Sequence, residues 1–256
     1  MITEIKKRIK QRLLSRFLPK NFYFIQNGFC PCCEKEVTFT ALDSWLRDSF
    51  VCSNCQCIPR ERALMLTIDK YYPNWRELKI HETSPADRGT SLKLKSECKS
   101  YLVSQFYPGK PFGTMVDNFR NEDLENQTFP DESFDLVISQ DVMEYVYNPS
   151  KAFKEIARTL KKGGAHIFTV PLINKHKKTE VWATLGENGK PNFLNKPEYH
   201  GNPVDPEGSP VTMHWGFDIV DFIRAESNLE TTIEYINDLK YGVRAEYIEV
   251  LVSIKI

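Results

Sequence analysis

Six of the seven cysteines fall between Cys30 and Cys57, with Cys98 standing apart. They are spaced as Cys30-x2-Cys33 and, after eighteen residues, Cys52-x2-Cys55. Two short cysteine pairs, each on a tight turn, can place four thiolates tetrahedrally around Zn2+. CPCC also offers Cys32, and CSNCQC also offers Cys57. The shared x2 spacing favours Cys30, Cys33, Cys52 and Cys55 as the ligands. Four sulfur ligands leave no open coordination position, so such a zinc site is structural. A module of this size cannot bury enough apolar surface to fold alone, and metal supplies the missing stability. A second group lies far along the chain in PEYHGNPVDPEGSPVTMHWGFD, which carries Tyr199, His200, Asp205, His214 and Trp215. His200 and His214 have near-neutral intrinsic pKa values, suited to base catalysis. Arg60 and Arg62, in IPRERAL, suit an anionic group or nearby acids.

The elements that must position these groups are legible in outline. Ile2, Ile5, Ile9, Leu13 and Phe17 recur at helical spacing with Lys and Arg between them, which predicts an amphipathic helix over residues 1–20. Residues 21–58 form the cysteine module, with VTFTAL and SFV as ribbon strands. Pro59 to Tyr72 reads as a helix with Ala63, Leu64, Ile68 and Tyr71 on one face. LKIHE and SYLVSQF read as strands, TMVDNF as a third, and FDLVISQ as a near-continuous apolar, buried parallel strand. Pro149 to Lys162 is expected as a helix closed by Gly163 and Gly164, followed by the strand AHIFTVP. From Leu172 to Met213 periodicity fades, and a long functional loop is expected. A helix from Phe217 and two final strands close the chain. Alternating strands and helices of this kind predict an α/β fold with a mostly parallel sheet covered on both faces.

At 256 residues the chain can hold one full α/β domain plus a small appendage. Formal net charge is zero, so there is no global pull toward nucleic acid. No apolar run is long enough to span a bilayer. The basic N-terminus lacks the apolar core of a signal peptide. A cytoplasmic, reducing setting is therefore expected, with thiols or metal ligands rather than disulfides.

The stretch DLENQTFPDESFDLVISQDVMEYVYNPSKAFKEIARTLKKGGAHIFTVP, with KIHETSPADRG and YLVSQFYP before it, resembles class I S-adenosylmethionine (SAM)-dependent methyltransferases. The resemblance implies a Rossmann-like, seven-stranded sheet over residues 59–256, with a substrate or lid insertion at about 172–214. It places Glu82 at the acidic end of the first strand, and Ser84 and Ala86 where glycines usually stand. Gln105 stands where an acid accepts from the ribose hydroxyls. Asp123 and Leu124 fall at the adenine-reading turn, and Ser139 and Gln140 at the carboxyl end of the fourth strand. The family often has His where Tyr145 stands.

The resemblance implies an enzyme that binds SAM. The insertion lies over the cofactor's methyl group, so His200, His214 and Tyr145 are the candidate catalytic residues, with Asp141 a further candidate at the sheet edge. A small-molecule or glycan acceptor is expected. Two alternatives remain: an RNA methyltransferase that recognises substrate through a zinc ribbon, and a degenerate SAM-type fold serving as a binding module.

Overall fold

A computed structural model describes residues 22–202 and 204–256. The expected helix over 1–20 lies outside the described residues. The chain opens with an antiparallel ribbon of β1 (Phe24–Cys30), β2 (Lys35–Ala41) and β3 (Val51–Cys52). A one-turn helix, Leu46–Ser49, sits between β2 and β3. Gly28 lets β1 lie against the turn at Leu239–Tyr241, since a Cβ there would meet Lys240 O at 2.2 Å.

The main sheet has eight strands. Its parallel centre is β4 (Lys79–Thr83), β5 (Ser100–Gln105), β7 (Phe119–Asn121), β8 (Phe134–Gln140) and β9 (Leu160–Thr169). Two antiparallel strands, β16 (Leu229–Glu234) and β17 (Val250–Lys255), complete one side, with β17 lodged between β16 and β9. The eighth strand is the two-residue β6 (Met115–Val116). The single strand expected over TMVDNF is therefore a hairpin. Asp117 and Asn118 both take positive φ, the conformation of a two-residue type I′ turn.

Period-two alternation gives the sheet two buried faces. Leu136 and Ile138 point into a core with Ala63, Leu64 and Ile68 of the helix Pro59–Tyr71. Val137 points into the opposite core, with Phe153 and Ile156 of the helix Pro149–Thr159 and Ile219 and Ile223 of the helix Ile219–Ser227. The first core also takes in Cys30, Phe39, Phe50, Cys52 and Cys57, so the ribbon shares the sheet's core. Arg62 fixes this join. It is fully buried against the Phe39 ring and donates to Phe50 O and Gly242 O. Its partners are backbone carbonyls and the Cys57 sulfur, neither the anionic group nor the nearby acids that its sequence suited.

Two boundaries differ from expectation. The helix after Pro149 ends at Thr159, and β9 begins at Leu160, because Leu160 pairs with Phe134 before the strand bulges through Gly163. Residues 172–214 are built of short pairs: β10 (Glu180–Val181) with β15 (Met213–His214), β11 (Ala183–Leu185) with β12 (Pro191–Phe193), and β13 (Tyr199–His200) with β14 (Ser209–Pro210). Strands of two or three residues are too short to show an alternating pattern. No helix among the described residues is long and apolar enough to cross a membrane.

His81 and His166 lie inside the sheet, each fully buried and bonded to a serine, Ser104 and Ser139. Burial, with the charge of Arg120 on His81 and of His81 on His166, lowers both from 6.5 to about 3. Between those values the unfolded chain binds protons that the folded one refuses, so stability drops as pH falls below 6.5. Each histidine contributes about 1.4 kcal/mol per pH unit in that window. Urea denaturation of the His81→Gln/His166→Gln double variant is expected to lose stability less steeply than wild type between about pH 6 and 4. Parallel pH dependences would contradict this.

Candidate active site

β4 leads to β5 on one side, and β8 leads to β9 on the other. The sheet thus has a topological switch point between β4 and β8, where open α/β sheets bind ligands at the carboxyl ends of their strands. A cavity of about 650 Å³ opens there. Ser84 and Asp141, the residues directly after these two strands, both line it and both take left-handed backbone, with φ of 50° and 52°. Ser84 thus keeps a conformation that glycine adopts freely, without being glycine. Its N–H donates to Ser104 O at 2.8 Å.

Of the eight residues expected at the cofactor, Ser84, Gln105 and Gln140 line the cavity. Glu82 is fully buried beneath them and accepts from Ser91 Oγ, Tyr101 Oη and Gln140 Nε2. Burial raises its pKa against those three hydrogen bonds. Ser91 Oγ also accepts from Ala86 N, so Glu82 steadies the loop through Ser91. Asp123 closes its own turn by accepting from Glu125 N, and Leu124 is packed in the second core. The Ser139 side chain turns into the sheet toward His166. None of these three residues lines the cavity.

The cysteine ribbon supplies one wall of the cavity through Trp45, Arg47 and Asp48, and the helix behind it adds Arg60. Arg47 Nη2 lies 2.7 Å and Arg60 Nε 2.9 Å from Asp141 Oδ2. Asp141 Oδ1 accepts from Thr169 Oγ1. Burial pushes the Asp141 carboxyl up, but the two guanidinium charges outweigh it and hold the group below the usual carboxylate range. Arg60 also pairs with Asp48 at 2.8 Å.

The insertion closes the opposite side with His200, Gly201, Asn202 and Ser209. Tyr145 Oη meets His200 Nδ1 at 2.8 Å, and His200 Nε2 meets Glu198 Oε1 at 3.1 Å. The other oxygen, Glu198 Oε2, meets His214 Nε2 at 3.1 Å. All three residues expected at the chemistry therefore belong to one hydrogen-bonded chain, joined by a glutamate that sequence reasoning missed. Tyr145 and His200 line the cavity, whereas His214 stands behind them, stacked on Trp182. Burial, then the neighbouring Glu144 and Asp141 carboxyls, push the Tyr145 phenol up. Glu144, Arg47 and Tyr247 were also missed. Glu144 had a signal, since it precedes Tyr145 in DVMEYV.

Among the cysteines, the four sulfurs within 4.8 Å of one another are those of Cys30, Cys52, Cys55 and Cys57. Cys33, expected as a ligand, stands outside that foursome, with its Sγ 3.9 Å from Cys52 Sγ. Both Cys-x2-Cys turns nevertheless share one backbone form. Glu34 N donates to Cys30 O and Gln56 N to Cys52 O, and Glu34 and Gln56 are both left-handed. A tetrahedral ZnS4 centre with bonds of about 2.3 Å has sulfurs about 3.8 Å apart. The pairs Cys30–Cys55 and Cys33–Cys52, at 3.7 and 3.9 Å, fit that edge, whereas Cys30–Cys57, at 3.4 Å, is shorter. Cys57 Sγ instead accepts from Arg62 Nη1 at 3.5 Å.

Residues 99–168 match the model of the methyltransferase domain family. No curated protein matches the sequence. Similar solved structures include an S-adenosylmethionine-dependent methyltransferase from Mesorhizobium loti, at 17% identity over 75% of this chain and 96% of that one, with a TM-score of 0.49. The YcgJ protein from Bacillus subtilis is 14% identical over 75% of this chain and 98% of its own, with a TM-score of 0.46. A SAM-dependent methyltransferase from Methanosarcina mazei is 17% identical over 73% and 94%, with a TM-score of 0.42. The family match runs from β5 to β9, across most of the parallel centre of a Rossmann-like sheet, so this part of the chain is similar to a methyltransferase domain.

Proposed function

We propose that the chain transfers a methyl group from SAM to a hydroxyl of a small-molecule or glycan acceptor. The observation that carries this reading is the Tyr145–His200–Glu198 chain facing a switch-point cavity lined by Ser84, Gln105 and Gln140. SAM supplies a methyl group already activated on a sulfonium. The protein's task is to orient the acceptor and remove its proton. The acceptor oxygen takes the methyl carbon as the carbon–sulfur bond breaks. Its proton passes to Tyr145 Oη while the tyrosine proton moves to His200 Nδ1. Glu198 holds the resulting imidazolium, and His214 fixes Glu198 from behind.

On this reading residues 59–256 are the catalytic unit and 172–214 its substrate-side cover. Residues 21–58 are built into the same site. The RNA alternative lacks comparable support, because the ribbon spends one face on the sheet's core. Zinc fits the two cysteine turns, and we assign it to Cys30, Cys33, Cys52 and Cys55, with Cys57 as an adjacent sulfur held by Arg62.

Calorimetry is expected to show SAM binding to the wild type, retained in Tyr145→Phe and His200→Ala and lost in Ser84→Trp. Release of S-adenosylhomocysteine in the presence of acceptor should fall roughly 10²–10⁴-fold in both His200→Ala and Tyr145→Phe. No binding of SAM, or unchanged turnover, would contradict the reading. Metal analysis should find about one zinc per chain. Cys33→Ser should lose that zinc and Cys57→Ser should keep it; the reverse would move the fourth ligand to Cys57.

A further inference from the structure

One group on the cavity wall has no task in this scheme. Glu144 lines the cavity, yet its side chain is buried and neither carboxyl oxygen has a hydrogen-bond partner. Among the described residues it is the one carboxyl with both oxygens themselves buried and unbonded. Its backbone is pinned, since Glu144 O accepts from both Thr212 N and Thr212 Oγ1. The residue is therefore held in place while its buried polar end has no hydrogen-bond partner. A buried carboxyl without partners costs stability, and native structures retain such groups where something else completes them.

The surroundings limit what that can be. The charges on the wall cancel where they stand: Arg47 and Arg60 against Asp141, and Arg60 also against Asp48. Burial, then the Asp141 charge, raises Glu144 well above the usual carboxylate range, so it stands as a neutral acid able to donate and accept. Beyond the Tyr145–His200 pair, the remaining polar lining consists of amides and hydroxyls such as Gln105, Gln140, Asn202 and Ser209. Trp45 and Tyr247 add aromatic surface, with ring centroids 6.3 Å apart and Trp45 46% exposed. Neutral hydrogen-bonding groups beside exposed aromatic faces suit a ligand with hydroxyls on its edges and C–H on its faces.

We propose that Glu144 holds the methyl acceptor, and that the acceptor is an uncharged, polyhydroxylated molecule of sugar type. A hydroxyl neighbouring the methylated one sits on the Glu144 carboxyl, which places the reacting hydroxyl at Tyr145. This rests on reading the cavity as the methyl-transfer site.

The test uses Glu144→Gln and the near-isosteric Glu144→Met, with a panel of methyl glycosides as probes in the presence of S-adenosylhomocysteine. At least one glycoside should bind the wild type below ~10 mM and lose affinity about tenfold in Glu144→Met, with a smaller loss in Glu144→Gln. The thermal midpoint of the ligand-free Glu144→Met protein should equal or exceed that of wild type, because the variant removes an unsatisfied buried group. A lowered midpoint would make Glu144 a structural residue and overturn the proposal. So would equal glycoside affinity in the variant, or no glycoside binding to the wild type. SAM titration in parallel keeps the two ideas apart. A wild type that binds no SAM contradicts the methyl-transfer reading, whereas the glycoside and stability results decide the role of Glu144.

Discussion

The site depends on one carboxylate. Asp141 follows the central strand β8 in a left-handed conformation, accepts from Arg47 and Thr169, and pairs in charge with Arg60. Arg47 comes from the ribbon, Arg60 from the helix behind it and Thr169 from the next strand. A buried carboxylate of this kind is stable only when its partners are all in place, because losing one leaves a charge uncompensated. The pairing therefore sets where the ribbon sits as well as where Asp141 sits. It also turns the ribbon's outer loop, with Trp45 and Asp48, into a wall of the cavity. The cysteine cluster lies behind that wall in the shared core. On the proposed zinc assignment, four thiolates with no open coordination position would make it a rigid support for Arg47 and Arg60.

The opposite wall follows a different logic. Residues 172–214 contain little regular structure, yet three short antiparallel pairs fix them over the sheet edge. Thr212 anchors this segment to Glu144 O and Val146 O, which brings the insertion back onto the segment after β8. His200 thereby reaches Tyr145 across 55 positions of sequence. Sheet edge, ribbon and insertion each supply something the others lack: the strand ends, the paired charges, and the His200–Glu198 pair that meets Tyr145.

Much of this was legible in the sequence, and the gaps have physical causes. FDLVISQ read as a buried parallel strand because both of its faces are apolar, and it is β8. The cysteine spacing located the ribbon turns. Ser84 looked like a lost glycine, whereas the structure keeps the left-handed turn there. Arg47 carried no local signal, since its partner Asp141 lies 94 positions away. Glu198 was hidden for a related reason: His214 joins His200 on it only after β13 is paired with β14 and Val211 N reaches Glu198 O. Ser139 and Leu124 were placed at the cofactor by position along the chain. Which way a strand-end or turn side chain points depends on packing, and here His166 and the second core claim them.

The central claim is that the ribbon wall, the strand ends at Ser84 and Gln140, and the Tyr145–His200 pair enclose one methyl-transfer site. A crystal structure of the zinc-loaded protein with S-adenosylhomocysteine tests it most directly. The account predicts the product in the switch-point cavity, its ribose beside Gln105 and its thioether sulfur facing Tyr145, with Arg47 and Arg60 still on Asp141. Product bound elsewhere, or a thioether turned away from Tyr145 and His200, would contradict it.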